Sequence, residues 1–345
     1  MSLDEALARV LVGRIHPAER AQDEFKSVMH SFLSKLLFLL RNDSYFGSLL
    51  NVGSQPSRLQ ETGSDRFEVK IVLKNLWRLV GLHLVIRLAE KGTVAIEPRR
   101  ARDLESKMVL ARVQHPLFEV IRPSDVIVLF AAAVSAAVPK MNFSHAAMQG
   151  VPRVVMSNAT VTLFVDFNGK PMRVELVPVF QFPWAFLPTE LKEESHNLKV
   201  HHAKVPPGES NWSAVPQKDR NQMTWAIEFH GLENEFIQNK GAEDAMRLIQ
   251  GIAGLDLPRR IVLQALLWLD EERGPSFWDS GLGNIVREVV EFLYQAFYHS
   301  KLSNFWIQGH ELLGMDTQAV ADQLLEVLNV LRSPGAPDFV DSLYT

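Results

Sequence analysis

Asn51-Val-Gly-Ser-Gln-Pro-Ser-Arg-Leu-Gln-Glu-Thr-Gly-Ser-Asp-Arg-Phe-Glu-Val-Lys-Ile-Val-Leu73 is the stretch on which the fold turns. It carries Gly53-Ser54 near its start and ends in an alternating run, Phe67-Glu68-Val69-Lys70-Ile71-Val72-Leu73. A glycine lets backbone approach a phosphate closely, and a serine hydroxyl and amide can hold it. The period of two sets Phe67, Val69, Ile71 and Leu73 on one face and Arg66, Glu68 and Lys70 on the other. A lone Gly-Ser pair occurs in many turns, so the rest of the chain decides its meaning.

A length of 345 residues suggests two domains, or two lobes around a shared cleft. The net charge of −4 gives no global basic field for nucleic acid, although a local patch remains open. The absence of cysteine excludes a disulfide framework and a thiolate zinc site, and suits a reducing, cytoplasmic compartment. Met1-Ser-Leu-Asp-Glu-Ala is acidic and polar, unlike a secretory signal. The apolar run Val126 to Val138 is too short to span a bilayer. It reads as a buried helix capped by Ser124 or Asp125 and stopped at Pro139, so no membrane partner is expected.

Upstream, Gln22 to Arg41 has apolar residues at helical spacing and predicts one long amphipathic helix. Lys26, Lys35 and Arg41 project from it, either as the solvated edge of a core helix or as a ligand-contacting spine. Short strands are expected over Leu79 to Arg87 and Thr93 to Glu97. The run Arg99-Arg-Ala-Arg102 fits a solvated turn better than a phosphate site. Two alternating runs, Thr160 to Asp166 and Met172 to Phe180, flank Asn168-Gly169 and predict a hairpin with a primed turn. Residues 182–222 read as a long Pro-rich connection, in which His201-His202 lacks the spaced ligands a metal needs. From Trp225 onward the pattern is helical, with stripes over Asp244 to Ile252, Pro258 to Glu272, Leu282 to Tyr298 and Thr317 to Leu331.

Several of these segments, in order, resemble one family. Trp225-Ala-Ile-Glu-Phe229 with Glu233 and Phe236 resembles the Trp-x-x-Ser-Phe-x-x-x-Glu pattern of the male-abnormal-type proteins, which include cyclic GMP-AMP synthase. Phe277-Trp278-Asp279 before Leu282-Gly283 is similar to that family's Trp…Leu-Gly segment ahead of a late helix. Lys301-Leu-Ser-Asn-Phe-Trp-Ile307, followed by Leu312-Leu313, is similar to its Leu-Pro-x-Phe-Phe-Ile-Pro…Leu-Leu signature, and Val174 to Val179 to the strand carrying its third acid. The resemblance implies an α+β, bilobal nucleotidyltransferase fold. Residues 1–205 would form a mixed-sheet core lobe with a long spine helix, and 206–345 a helical lobe. The family's zinc-binding Cys/His insertion is absent, as in the insect cyclic GMP-AMP synthase-like receptors, which removes the element associated with DNA sensing.

Phosphoryl transfer by this fold needs two Mg²⁺ or Mn²⁺ ions about 3.5–4 Å apart, held by about three carboxylates on adjacent strands. The matching positions here are Arg66, Glu68 and Glu175. A guanidinium cannot ligate a cation, and beside Glu68 and Glu175 it would pair with them. Asp65 could compensate only if a bulge re-aimed it. Of the family's triphosphate-binding lysines, the first matches Arg247; the others fall on Gln250 and near Leu263. Arg259-Arg260 occupies the place of a base-stacking tyrosine, and reads equally as a phosphate or acidic-partner site or as exposed arginines. Gly53 and Ser54 complete the nucleotide site that the resemblance implies. Two functions remain open. One is an impaired member acting as a nucleotide-, RNA- or protein-binding sensor or scaffold without a cofactor. The other is an active innate-immune receptor making a cyclic dinucleotide from ATP and GTP on double-stranded RNA.

Overall fold

In the computed structural model, the described residues are 1–42, 60–63, 65–73, 84–90, 92–98, 121–141, 143–202, 211–217, 224–240, 242–314 and 317–344. Gly53, Ser54 and the run at 99–102 lie outside them. The chain divides into two compact units, one of residues 24–194 and 202–230, the other of residues 1–23, 195–201 and 231–345. The cut expected at 205/206 therefore differs from the division seen: residues 1–23 belong to the mainly helical unit, and 206–230 to the sheet unit.

The alternating runs of the first unit form one nine-stranded sheet. Its strands are β1 (Gln60–Gly63), β2 (Arg66–Leu73), β3 (Leu84–Glu90), β4 (Thr93–Pro98), β5 (Met148–Met156), β6 (Val161–Phe167), β7 (Lys170–Pro183), β8 (Asn211–Pro216) and β9 (Trp225–Glu228). The order is β1-β2-β7-β8-β9-β4-β3, with β6 and then β5 branching from the first half of β7. Among the described residues only β2 and β7 pair in parallel; the other pairings are antiparallel. Asn168 and Gly169, both at positive φ, make the turn between β6 and β7, so the Asn-Gly hairpin forms as its turn chemistry dictates.

One face of this sheet is apolar. Phe67, Val69, Ile71 and Leu73 of β2 are buried, as are Leu163 and Val165 of β6 and Val174 and Leu176 of β7. Phe25 seals it from above, its ring 4.7 Å from that of Phe67 and 5.1 Å from that of Phe167. Phe25 belongs to α2 (His16–Asn42), which begins earlier than the expected Gln22 because a π-helical turn, Leu11–Ile15, joins it to α1 (Leu3–Val10). The apolar run near 130 is α3 (Pro123–Ala137), which packs against β5, β6, β7 and β8. Its cap differs from expectation: Arg122 is the N-cap and makes no side-chain cap, while Pro123 at the first turn supplies the preset φ. By length and composition Pro123–Lys140 could cross a membrane. Its buried Val126, Ile127, Phe130 and Val134 are those of a core helix. The long connection expected over 182–222 contains α4 (Thr189–Glu194), α5 (His196–His202) and β8.

The second unit is mainly helical: α6 (His230–Lys240), α7 (Ala242–Gln250), α8 (Arg259–Arg273), α9 (Leu282–Tyr298), α10 (Gln318–Arg332) and α11 (Ala336–Phe339), with α1 and most of α5. Buried leucines, valines and isoleucines at helical spacing fill its core. Asp4 of α1 accepts a hydrogen bond from the amide of Gly283 at 2.5 Å, capping the first turn of α9 from a distant part of the chain. Two more polar contacts hold α1 and the turn after it, Arg9 to Asp341 at 2.8 Å and Arg14 to the Tyr344 carbonyl at 3.1 Å.

Candidate functional site

The face of the sheet opposite Phe25 carries the charge. In the parallel register Glu68 stands beside Glu175, and Arg66 beside Arg173, so all four side chains leave the same side. β6 continues the rows, with Thr162 beside Glu175 and Phe164 beside Arg173. At the far side, β8 and β9 add Ser213 and Glu228.

Arg66 reaches across to Glu175. Its Nε and one terminal nitrogen donate to Oε1 at 2.9 and 2.5 Å, and the Glu175 side chain is only 9% exposed. A carboxylate withdrawn that far from water needs a partner, and a guanidinium answers it with two donors. Glu68 has a cation nearby as well: Lys70 Nζ lies 4.0 Å from its Oε1.

Lys70 holds a second cluster that the sequence reading missed. Its ammonium donates to Glu228 Oε2 at 2.8 Å and also touches the Nε2 of His230, which lies 2.5 Å from the same oxygen. Burial alone would raise the Glu228 pKa, but Lys70 and then His230 outweigh it and hold the carboxyl far below the ordinary carboxylate range. β2 and β9 are separated by two strands, about 14 Å in a flat sheet. Side chains from the two meet, so twist and coiling make this face concave between them. The available signal was the parity of Lys70 with Glu68; Glu228 lay hidden in a motif read for its aromatic residues.

Asp65 sits in the turn before β2, next to an irregularity in the β1–β2 register between Glu61 and Gly63. Its carboxylate lies 3.9 Å from Arg173 Nε, and its carbonyl accepts from the Arg173 amide at 2.8 Å. Among the described residues no three His, Asp or Glu side chains group as a metal would require. Glu68 and Glu175 each face a cation of the chain.

The other expected positions are scattered by role. Arg247 pairs within its own helix, to Glu243 at 3.1 Å and Asp244 at 3.4 Å. Arg259 and Arg260 are the first two residues of α8 and are half-buried. On α2, Lys26 is half-buried, Lys35 exposed, and Arg41 donates to the Leu37 carbonyl at 3.3 Å. Nine positions separate Lys26 from Lys35, which at 3.6 residues per turn puts them on opposite sides, so the three do not share one stripe. His201 turns its ring edge to Phe305 and Trp306, at 5.7 and 5.3 Å.

Trp225, Trp278 and Trp306, which carry much of the family resemblance, hydrogen-bond to groups inside the protein. Trp306 donates to Glu233 at 3.2 Å, Trp268 to the Ser303 carbonyl at 2.8 Å, and Trp278 to Asp270 at 2.7 Å. Gln264 accepts from the Phe305 amide at 2.6 Å, and Asn304 accepts from the amides of Trp306 and Ile307. In the sheet unit, Trp225 is fully buried and donates to the Ile121 carbonyl at 2.8 Å. No protein-family model and no curated protein matches the chain.

Proposed function

We propose that this is a cyclic GMP-AMP synthase-like protein, of bilobal nucleotidyltransferase fold, that acts by binding rather than by nucleotidyl transfer. The observation that carries the proposal is Arg66 seated on Glu175. Two-metal catalysis needs carboxylates whose charge is spent on metal. On this face the corresponding charge is answered from within, by Arg66 at Glu175 and by Lys70 near Glu68. The active alternative requires a third acid from Asp65, whose carboxylate is turned to Arg173 instead.

A thermal-shift titration with ATP and GTP, with and without Mn²⁺, tests the proposal on wild type and on Arg66→Glu. Ligands that bind the folded state raise its melting temperature by mass action. Wild type is expected to show no metal-dependent shift, and Arg66→Glu to gain one. A metal-dependent shift in wild type, or formation of a dinucleotide product, would return the protein to the enzymes.

A further inference from the structure

One row of side chains crosses four adjacent strands of the charged face. Arg153 of β5 is paired in register with Phe164 of β6, Phe164 with Arg173 of β7, and Arg173 with Arg66 of β2. At about 4.8 Å per strand the row is roughly 14 Å long. The Arg153 guanidinium lies over the Phe164 ring, 4.5 Å from its centre, and that of Arg173 lies 5.9 Å from it. Arg153 is exposed, and the side chains of Arg173 and Arg66 are 54% and 44% exposed. The next row, Thr162, Glu175 and Glu68, is acidic, and on the other side Asp166 stands beside Pro171.

We propose that this row binds a single-stranded nucleic acid, with phosphates on Arg153 and Arg173 and a base stacked on the Arg153–Phe164 platform. Every base has a π-face that an aromatic ring or a guanidinium plane can take, and only an unpaired base can be splayed onto a sheet. A duplex keeps its bases stacked inside and offers the ring nothing. An acidic peptide would satisfy the guanidiniums but brings no base to stack on the Arg153–Phe164 pair. Glu175 and Glu68 on one side and the single Asp166 on the other disfavour a polyanion off the arginine row, so the strand runs across the β-strands rather than along them. The proposal deepens the binding role put forward above by naming a partner and its surface.

Fluorescence anisotropy in the presence of EDTA tests it with three probes: an oligouridylate of about 15 nucleotides, comparable to the largest sites of sheet-type binders, an RNA duplex of the same length, and inorganic polyphosphate. Wild type should bind the oligouridylate more tightly than the duplex. Phe164→Leu should weaken the oligouridylate about tenfold and leave polyphosphate unchanged, because stacking alone is lost. Arg153→Ala and Arg173→Ala should weaken both, each lowering the log–log salt slope for the oligouridylate by about 0.7. Arg153 is exposed, so its variant should melt with wild type and keeps the test informative if Phe164→Leu folds poorly. Absent oligouridylate binding, tighter duplex binding, or indifference to Arg153→Ala and Phe164→Leu would overturn the assignment. Without metal, such a failure leaves the Arg66–Glu175 reading intact, whereas nucleotidyl transfer by wild type would overturn that reading alone.

Discussion

Glu228 shows how one residue can make a charged cluster depend on pH. Its carboxyl titrates far below the ordinary 4.5 when folded, so the unfolded chain takes up the proton first. The stabilisation is complete above about pH 5 and is lost as pH falls below the unfolded value. Glu228→Gln is therefore expected to cost about 2–4 kcal/mol at neutral pH, since it leaves Lys70 and His230 without their anion. The cost should shrink toward pH 4, and urea denaturation of both proteins across that range measures it. Lys70→Met should be similarly destabilising. If the two side chains act as a pair, the double variant will lose less than the summed single losses, by at least about 0.5 kcal/mol.

Among the elements, the cap that α1 places on α9 makes the sharpest prediction. An Ala at 283 would put Cβ 2.8 Å from Leu3 Cγ and 3.0 Å from Asp4 Oδ1, too close for either to stay. Asp4→Ala should lower stability by about 1 kcal/mol through loss of the cap. Gly283→Ala should lower it by at least as much, and the two together should be less than additive because they break one contact; urea melts of the three variants decide it. Gly281, at φ 88° with Asp4 Oδ2 2.7 Å from a would-be Cβ, belongs to the same joint. None of this was legible in the sequence, because a cap recognised by spacing is local and Asp4 is not. What the sequence did disclose was local or periodic. The strand from Arg66 to Leu73, the Asn168-Gly169 hairpin and the facing of Arg66 toward the acids all follow from a period of two and one turn. β8 was missed because six residues flanked by Pro-rich segments carry little periodic signal, and its pairing with β7 and β9 is settled only in the folded sheet. The Lys70 cluster escaped for the same reason: it requires the sheet to curl.

At the scale of the whole molecule, neither compact unit is one continuous piece of chain. The helical unit takes residues 1–23 and 195–201 as well as 231–345. A fragment of residues 231–345 alone would lack α1 and its Asp4, Arg9 and Arg14 contacts. It is expected to melt broadly by circular dichroism and to sharpen when a peptide of residues 1–23 is added. If the fragment already melts as cooperatively as the intact chain, α1 is an accessory rather than part of the core. The aromatic residues on which the family resemblance rests fit this view. Trp306, Trp278 and Trp225 spend their N–H groups on internal acceptors, so their pattern speaks for architecture.

The turn between β6 and β7 also gives the molecule a chemical clock. Asn168 and Gly169 are exposed, and an Asn-Gly pair is prone to cyclise to a succinimide and reopen as isoaspartate. That product lengthens the backbone by one methylene at the bend that sets Phe164 opposite Arg173. Material stored in alkaline buffer should therefore turn more acidic on isoelectric focusing, with the new charge mapping to position 168 on peptide digestion, and ageing will begin at the hairpin that is easiest to read in the sequence.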